Sequence, residues 1–397
     1  MRKVLLLVSA VAMLAGMLMA GGASASGFPA AVGESEALAA AMQCQSALSG
    51  KYPAWDKAKL DPTVVYRGVD GRNTAYEFAL NSDTGFVGFM LISATKDWMP
   101  LLECGTGAPP SARVGEARDI CAREGYITAS SVAQPVLLYW GGLSYSVQFG
   151  EKMTSDRVAV HLPTGALVEV PSEQPALQMD ATASRVAWDA PESGPGGNAV
   201  LSSGYVYGVP AWYQTSYPDP NCDPGGGFTM WPYCEGMIQD SWGNWDGCST
   251  IAGAMIHGFW GTHGYPGLYP GPPTWTDEIL IDDNHHFMGT NNDGITMPWN
   301  ILDGVKNTFG YYGYGYFIVE DDYFVSWDDI KNQVNAQRPS ILSMTGSPWG
   351  SHSVTVVGYD EPGWGNLIIL HNTYDTSDQL LTYGNWATAM LTTARPY

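Results

Sequence analysis

Two apolar runs near the C-terminus, His352-Ser353-Val354-Thr355-Val356-Val357-Gly358-Tyr359 and Leu367-Ile368-Ile369-Leu370-His371-Asn372-Thr373, flank the stretch Asp360-Glu361-Pro362-Gly363-Trp364-Gly365-Asn366. The runs have strand character and the stretch between them is turn chemistry, so this part of the chain must fold as an antiparallel hairpin. A hairpin fixes register. With Gly358 or Tyr359 opposite Leu367, His352 comes to lie opposite Thr373 or Tyr374, within a step or two of Asn372. An Asn side chain beside a His can accept its Nδ1–H and leave Nε2 as a base, the part a third group plays behind a Cys-His pair.

A candidate partner for that base lies upstream. Asp246-Gly247-Cys248-Ser249 leads into a run in which Ile251, Ala252, Met255, Ile256 and Phe259 share one helical face. Cys248 is therefore expected at a helix N-terminus, where unpaired backbone N–H groups and the positive end of the macrodipole favour thiolate over thiol. This makes Cys248 a candidate nucleophile; the alternative is a small buried residue or half of a disulfide.

The first 25 residues read as a signal peptide. Arg2 and Lys3 precede the apolar stretch Val4 to Ala20, and Ala23-Ser24-Ala25 forms a small-residue cleavage site that makes Ser26 the expected mature N-terminus. The protein is thus expected to be exported, secreted or at the cell surface. No later stretch reaches the roughly 18 apolar residues of a membrane span. With 39 acidic and 18 basic residues the net charge is −21, which argues against nucleic acid or anionic lipid as a partner. Only 14% of residues are charged, so the acidity is not that of a disordered tail. An exported chain can keep disulfides; Cys222 with Cys234, and Cys104 with Cys121, each bracket a loop and are the expected pairs, leaving Cys44 and Cys248.

Two modules are expected. Residues 26–170 read as a smaller α+β unit: a helix over Glu34 to Leu48, strands over Pro62 to Arg67, Thr74 to Leu80 and Gly85 to Ser93 in a meander, a helix over Glu116 to Glu124, then strands over Val136 to Trp140, Tyr145 to Phe149 and Val158 to Leu162. His161 alternates within the last of these and reads as structural. Residues 171–204, with Pro171, Pro175, Pro191, Pro195, Gly194, Gly196 and Gly197, read as a linker. The second module, 205–397, holds the Cys248 helix ending near Trp260, then a loop rich in Pro, Gly, Asp and His. It continues with a helix over Trp299 to Phe309, a Ser326-capped helix to Ala336, a strand over Ser340 to Met344, and the hairpin.

The segments Trp245-x-Gly247-Cys248-Ser249-x-x-x-Gly253-Ala254-Met255, His263-Gly264-Tyr265-Pro266-Gly267-Leu268, Thr290-Asn291-x-Asp293-Gly294-Ile295-Thr296 and His352 to Asp360 together resemble the papain-like cysteine peptidases related to bacteriocin-processing peptidases. The resemblance covers roughly residues 205–397. It implies an α+β papain-like domain in which an N-terminal helix bears the nucleophile and an antiparallel sheet bears His and Asn. By that resemblance Cys248 attacks, His352 is general base and acid, and Asn372 orients the histidine; many relatives carry Asp at this last position. It also implies an upstream glutamine beside the Cys248 N–H in the oxyanion site. Gln214, in Val209-Pro210-x-x-x-Gln214, and Gln239 are both candidates, and the insertion between them leaves the choice open. The implied substrate is a peptide or protein, and no cofactor is needed. The stretch from Gly85 to Asp97 resembles the pro-domain of streptopain-type peptidases, which implies intramolecular inhibition relieved by cleavage in the 171–200 region; an accessory domain is the alternative.

Four other readings compete. Papain-like transglutaminases and peptidoglycan endopeptidases share the order Cys, His, Asn and differ in acyl acceptor or substrate. A metal site could draw on His257, His263, His285 and His286 with Asp282 and Asp283, but no pair has the His-x-x-x-His spacing of a helical ligand pair, so no catalytic metal is expected. A catalytically silent cell-surface binding protein could use the aromatic run Tyr311 to Phe317, although such runs more often form core and sheet face.

Overall fold

The structure, a computed structural model, describes residues 30–61, 64–128, 132–189, 202–213, 246–268, 276–291, 294–345 and 351–397. Helix α1 (Glu34–Leu48) turns Ala37, Ala40, Ala41, Cys44 and Leu48 inward, a helical stripe of mostly small side chains that lets it sit close on a sheet. The N-terminal strands are β1 (Lys59–Leu60), β2 (Val64–Arg67), β3 (Asn73–Ser82), β4 (Gly85–Ser93), β5 (Leu101–Gly105), β6 (Pro135–Tyr139), β7 (Tyr145–Phe149), β8 (Val158–His161) and β9 (Leu167–Glu169). Helices α2 (Val114–Arg123) and α3 (Gly150–Ser155) lie between them. The expected meander is present, with β2, β3, β4 and β5 paired antiparallel in turn.

The C-terminal half contains α5 (Cys248–Thr262), α6 (Thr276–Phe287), α7 (Pro298–Tyr311) and α8 (Trp327–Asn335). Its strands are β10 (Ser203–Tyr205), β11 (Ile318–Asp322), β12 (Ser340–Thr345), β13 (Ser351–Asp360), β14 (Leu367–His371), β15 (Asp378–Thr382) and β16 (Thr388–Arg395). Strands and helices are largely segregated and nearly all pairs are antiparallel, which is a mixed, α+β arrangement. Ser326 caps α8 through a reciprocal capping box with Asp329.

Where the two halves meet, strand pairs with strand. β15 lies antiparallel to β5, with Leu380 opposite Cys104 and Leu381 opposite Glu103, so a single sheet runs from β11 through β16, β12, β13, β14 and β15 into β5, β4 and β3 and on to β9. The stretch read as a linker carries helix α4 (Ala181–Asp189), and Gln178 N donates to Trp386 O at 2.9 Å. Ser203 to Tyr205 then pair with Asp360 to Gly358 of β13. Both cores are shared between the halves. One joins Tyr66, Leu102 and Tyr139 to Ile256, Met344 and Trp386, and the other joins Cys44, Trp55 and Phe78 to Val357, Ile369 and Leu380.

Some local expectations are corrected. The loop read through Asp282, Asp283, His285 and His286 is helical, since these residues lie on α6. The aromatic run is no strand: Tyr311 closes α7, and Phe317 precedes β11. Cys104 and Cys121 do not pair. Both are buried free thiols, Cys104 packed with Cys44 beneath α1 and Cys121 against Met153 Sδ at 3.4 Å. The expected partners Cys222 and Cys234 lie outside the described residues.

Candidate active site

Helix α5 is buried along its length from Ser249 to Gly261, not on one face alone. A helix buried all round needs small residues where its neighbours approach. Gly253 is one: a Cβ there would stand 2.5 Å from Asn284 Oδ1 of α6. The helix thus runs through the core and delivers its first residue, Cys248, to a half-buried position, while the other three free thiols of the described residues are fully buried. Gly247 before it has φ 99°, a conformation open to glycine, and a Cβ there would collide with the Gly294 carbonyl. No side chain caps the helix, and the first intrahelical bond is Ile251 N to Gly247 O. The N–H groups of Cys248, Ser249 and Thr250 are therefore outside the helical ladder.

His352 and Ser353, at the start of β13, face that helix end. Ser353 N donates to Cys248 Sγ at 3.4 Å, and Ser353 Oγ meets Ser249 Oγ at 2.8 Å and Ser343 Oγ at 2.9 Å. Burial pushes the Cys248 thiol up. The charge and hydrogen bond of His352, with smaller contributions from the Ser353 N–H and Ser249, more than offset this and hold it below the ordinary thiol range. The sequence thus named two residues that the fold brings together.

Asn372 is close, but its side chain does not hold the histidine. His352 Nε2 lies 2.7 Å from the Asn372 backbone carbonyl, which can only accept, so Nε2 carries the hydrogen and Nδ1 is the basic nitrogen. This reverses the expected assignment of the two ring nitrogens. The reason is local turn chemistry. Asn372 Oδ1 accepts from Tyr374 N at 2.8 Å and Asp375 N at 3.0 Å, an Asx turn that draws the side chain away from the imidazole. The next residue, Thr373, is held at φ 63°, an outlier for a β-branched residue.

Tyr374 was not singled out from the sequence, although the hairpin register pointed to it. The actual register is Asp360 opposite Leu367 with a bulge between Val356 and Gly358, then Thr355 opposite His371. Continued, it puts Tyr374 across from His352. The two rings stack 4.3 Å apart at 7°, with Tyr374 Oη 3.1 Å from Nδ1. With Nε2 taken by the carbonyl, Nδ1 is the ring nitrogen left to the thiol, and the Tyr374 hydroxyl is a second hydrogen-bond partner of that nitrogen. His161 of β8 packs edge-on against Tyr374 at 5.8 Å. Burial, then the charge of His352, pushes its imidazole down to about 3, so it stays neutral beside Cys248 and His352.

Gln214 and Gln239 both lie outside the described residues. Among the described residues no group of three potential ligands converges on a metal site. His257 is fully buried with Nδ1 2.7 Å from Gly253 O and Nε2 3.1 Å from Val305 O, which ties α5 to α7. Among the described residues no helix is long and apolar enough to cross a membrane.

Residues 234–389 match the Peptidase_C39 like family. The matched span holds Cys248, His352 and the turn at Asn372, and it supports a cysteine peptidase module of this type. No curated protein matches the chain.

Proposed function

Taking the matched span as a peptidase module, we propose that the protein is an exported cysteine peptidase that cleaves peptide bonds through an acyl-enzyme. The observation that carries the proposal is the half-buried Cys248 thiol at the uncapped start of α5, lowered by His352. His352 Nδ1 takes the thiol proton, and Sγ attacks the peptide carbonyl carbon. The same proton passes to the leaving amine as the C–N bond breaks. Water then attacks the thioester, giving a proton to Nδ1, and the carboxylate product leaves as the thiol is restored. The oxyanion is stabilised by the Cys248 N–H and by Gln214 or Gln239. The backbone carbonyl of Asn372 holds the histidine through Nε2.

Alkylating the purified mature protein with iodoacetamide, mapping the adduct and assaying peptide hydrolysis in parallel tests this. Labelling at Cys248 with matching loss of cleavage is expected; an unreactive Cys248, or one locked in a disulfide, overturns it. Amine transfer to glutamine, assayed in the same samples, separates a transglutaminase from a peptidase. Export rests on the segment from Arg2 to Ala25 and predicts a secreted chain beginning at Ser26; a mature chain that retains Met1 overturns that part. We propose the N-terminal module as a standing part of the enzyme, because removing β5 would uncover β15 and divide both shared cores.

A further inference from the structure

Behind His352 an unbroken chain of buried hydrogen bonds leads into the other half of the molecule. His352 Nε2 donates to the Asn372 carbonyl at 2.7 Å. Asn372 Nδ2 donates to Gln379 Oε1 at 2.9 Å, on β15. Gln379 Nε2 donates to Tyr145 Oη at 3.0 Å and to Glu103 Oε2 at 3.4 Å, both on N-terminal strands. Glu103, fully buried, also accepts from Tyr145 Oη, Tyr139 Oη at 2.6 Å, Leu143 N at 2.9 Å and Asn385 Nδ2 at 3.1 Å.

The chain has a direction. Burial raises the Glu103 carboxyl, but the Leu143 N–H and the Asn385 and Gln379 amide nitrogens can only donate to it; with Glu103 as acceptor the Tyr145 hydroxyl spends its hydrogen there, leaving an oxygen lone pair for Gln379. The amide of Gln379 must then point Nε2 at Tyr145 and Glu103 and Oε1 at Asn372. Asn372 is fixed in the same sense, because its Oδ1 already serves two N–H groups of the turn. Turning either amide over would set donor against donor at one end and acceptor against acceptor at the other, inside the protein, where unsatisfied groups are costly.

We propose that Gln379, anchored by Glu103 and Tyr145, is the positioning residue of His352. It fixes the Asn372 side chain, and through it the carbonyl of that residue, which selects the tautomer with a basic Nδ1. The N-terminal module then sets the geometry of the catalytic base, in place of acting as a removable inhibitor. This inference rests on the Cys248–His352 reading above.

The test uses the full mature chain. Gln379→Met keeps the volume and removes both ends of the amide; Tyr145→Phe keeps the ring and removes only the hydroxyl. Iodoacetamide alkylation of Cys248 is followed across the acid-to-alkaline range, beside thermal melting and steady-state peptide hydrolysis. In Gln379→Met, alkylation at neutral pH is expected to slow about tenfold, the equivalent of one hydrogen bond. Its pH profile should move to the alkaline side, and kcat should fall with KM unchanged. Tyr145→Phe should shift the same readouts in the same direction by about threefold, a fraction of one hydrogen bond. A lower melting temperature with a wild-type alkylation profile and kcat makes the chain merely structural and overturns the proposal. A wild-type Cys248 that does not react at all is a different failure, seen before any variant is made, and it sinks the peptidase reading itself.

Discussion

The two sides of the site are built in opposite ways. The cysteine side is local: Gly247 supplies the bend, Cys248 the thiol, and the next turns of α5 the buried support, all within one short stretch. The histidine side is assembled from β13, the turn at Asn372 to Asp375, β15, and strands β5 and β7 of the other module. The thiol is therefore placed by a helix start that the sequence carries by itself, while the aim of the base depends on pairing between distant strands. Changes on the first side should act abruptly, and changes on the second by degrees.

The largest effect is expected from Cys248→Ala, which removes the proposed nucleophile and should lower kcat by about 10⁴-fold or more while the melting temperature stays near wild type. Residual cleavage close to wild type, measured on a labelled unfolded protein substrate, would place the chemistry elsewhere. Next, Gly247→Ala attacks the bend. A Cβ at φ 99° meets the Gly294 carbonyl, so the variant should lose at least about 2 kcal/mol in denaturant unfolding and lose activity with it. An alanine variant of full stability and activity would break the local account of the cysteine side.

The pH dependence links the two sides. Burial raises the Cys248 thiol and His352 is the chief group lowering it, with a net position below the ordinary thiol value. A lowered thiol is ionised above its shifted pKa and reprotonates as pH falls through it. Alkylation should thus stay fast to lower pH than for an ordinary thiol and fade as pH falls further. In His352→Gln burial is opposed only by Ser353 and Ser249, so the profile should move to the alkaline side and neutral-pH alkylation should fall about tenfold or more, a full pKa unit. An unshifted profile would mean that the helix start alone makes the thiolate.

This contrast also governs what the sequence could say. The helix at Cys248, the Ser326 cap and the hairpin at His352 are written in periodicity, spacing and turn residues over a few positions, and each stands close to where it was expected. Tyr374 was within the stated register and lacked only the recognition that a tyrosine there would stack. Gln379 and Glu103 carried no signal, because the pairing of β15 with β5 joins segments more than half the chain apart and neither strand announces the other. The Asn372 side chain was misplaced for a subtler reason. The hairpin put the residue beside His352, but the Asx turn, a bond within four residues, competed for the same oxygen and prevailed.

A smaller effect than that of losing Cys248 or Gly247 is expected at the residue on which the sequence and the structure differ most. If the Asn372 side chain oriented His352 directly, Asn372→Ala would cost a thousandfold or more, about the scale of losing the orienting group of a triad. In the structure the contact is the backbone carbonyl, which alanine keeps, so the expected loss in kcat is about tenfold, from losing the link to Gln379 and the Asx turn that hold that carbonyl in place. Asn372→Asp sharpens the distinction. An aspartate would satisfy an imidazole N–H and preserve activity if the side chain faced the ring. Here it keeps the Asx acceptor but turns its second oxygen toward Gln379 Oε1 and Asp375 Oδ2, where Asn372 Nδ2 now donates. It should therefore do no better than alanine at neutral pH. A large loss in alanine restored by aspartate would return the orienting role to the side chain and disconnect the N-terminal module from the base.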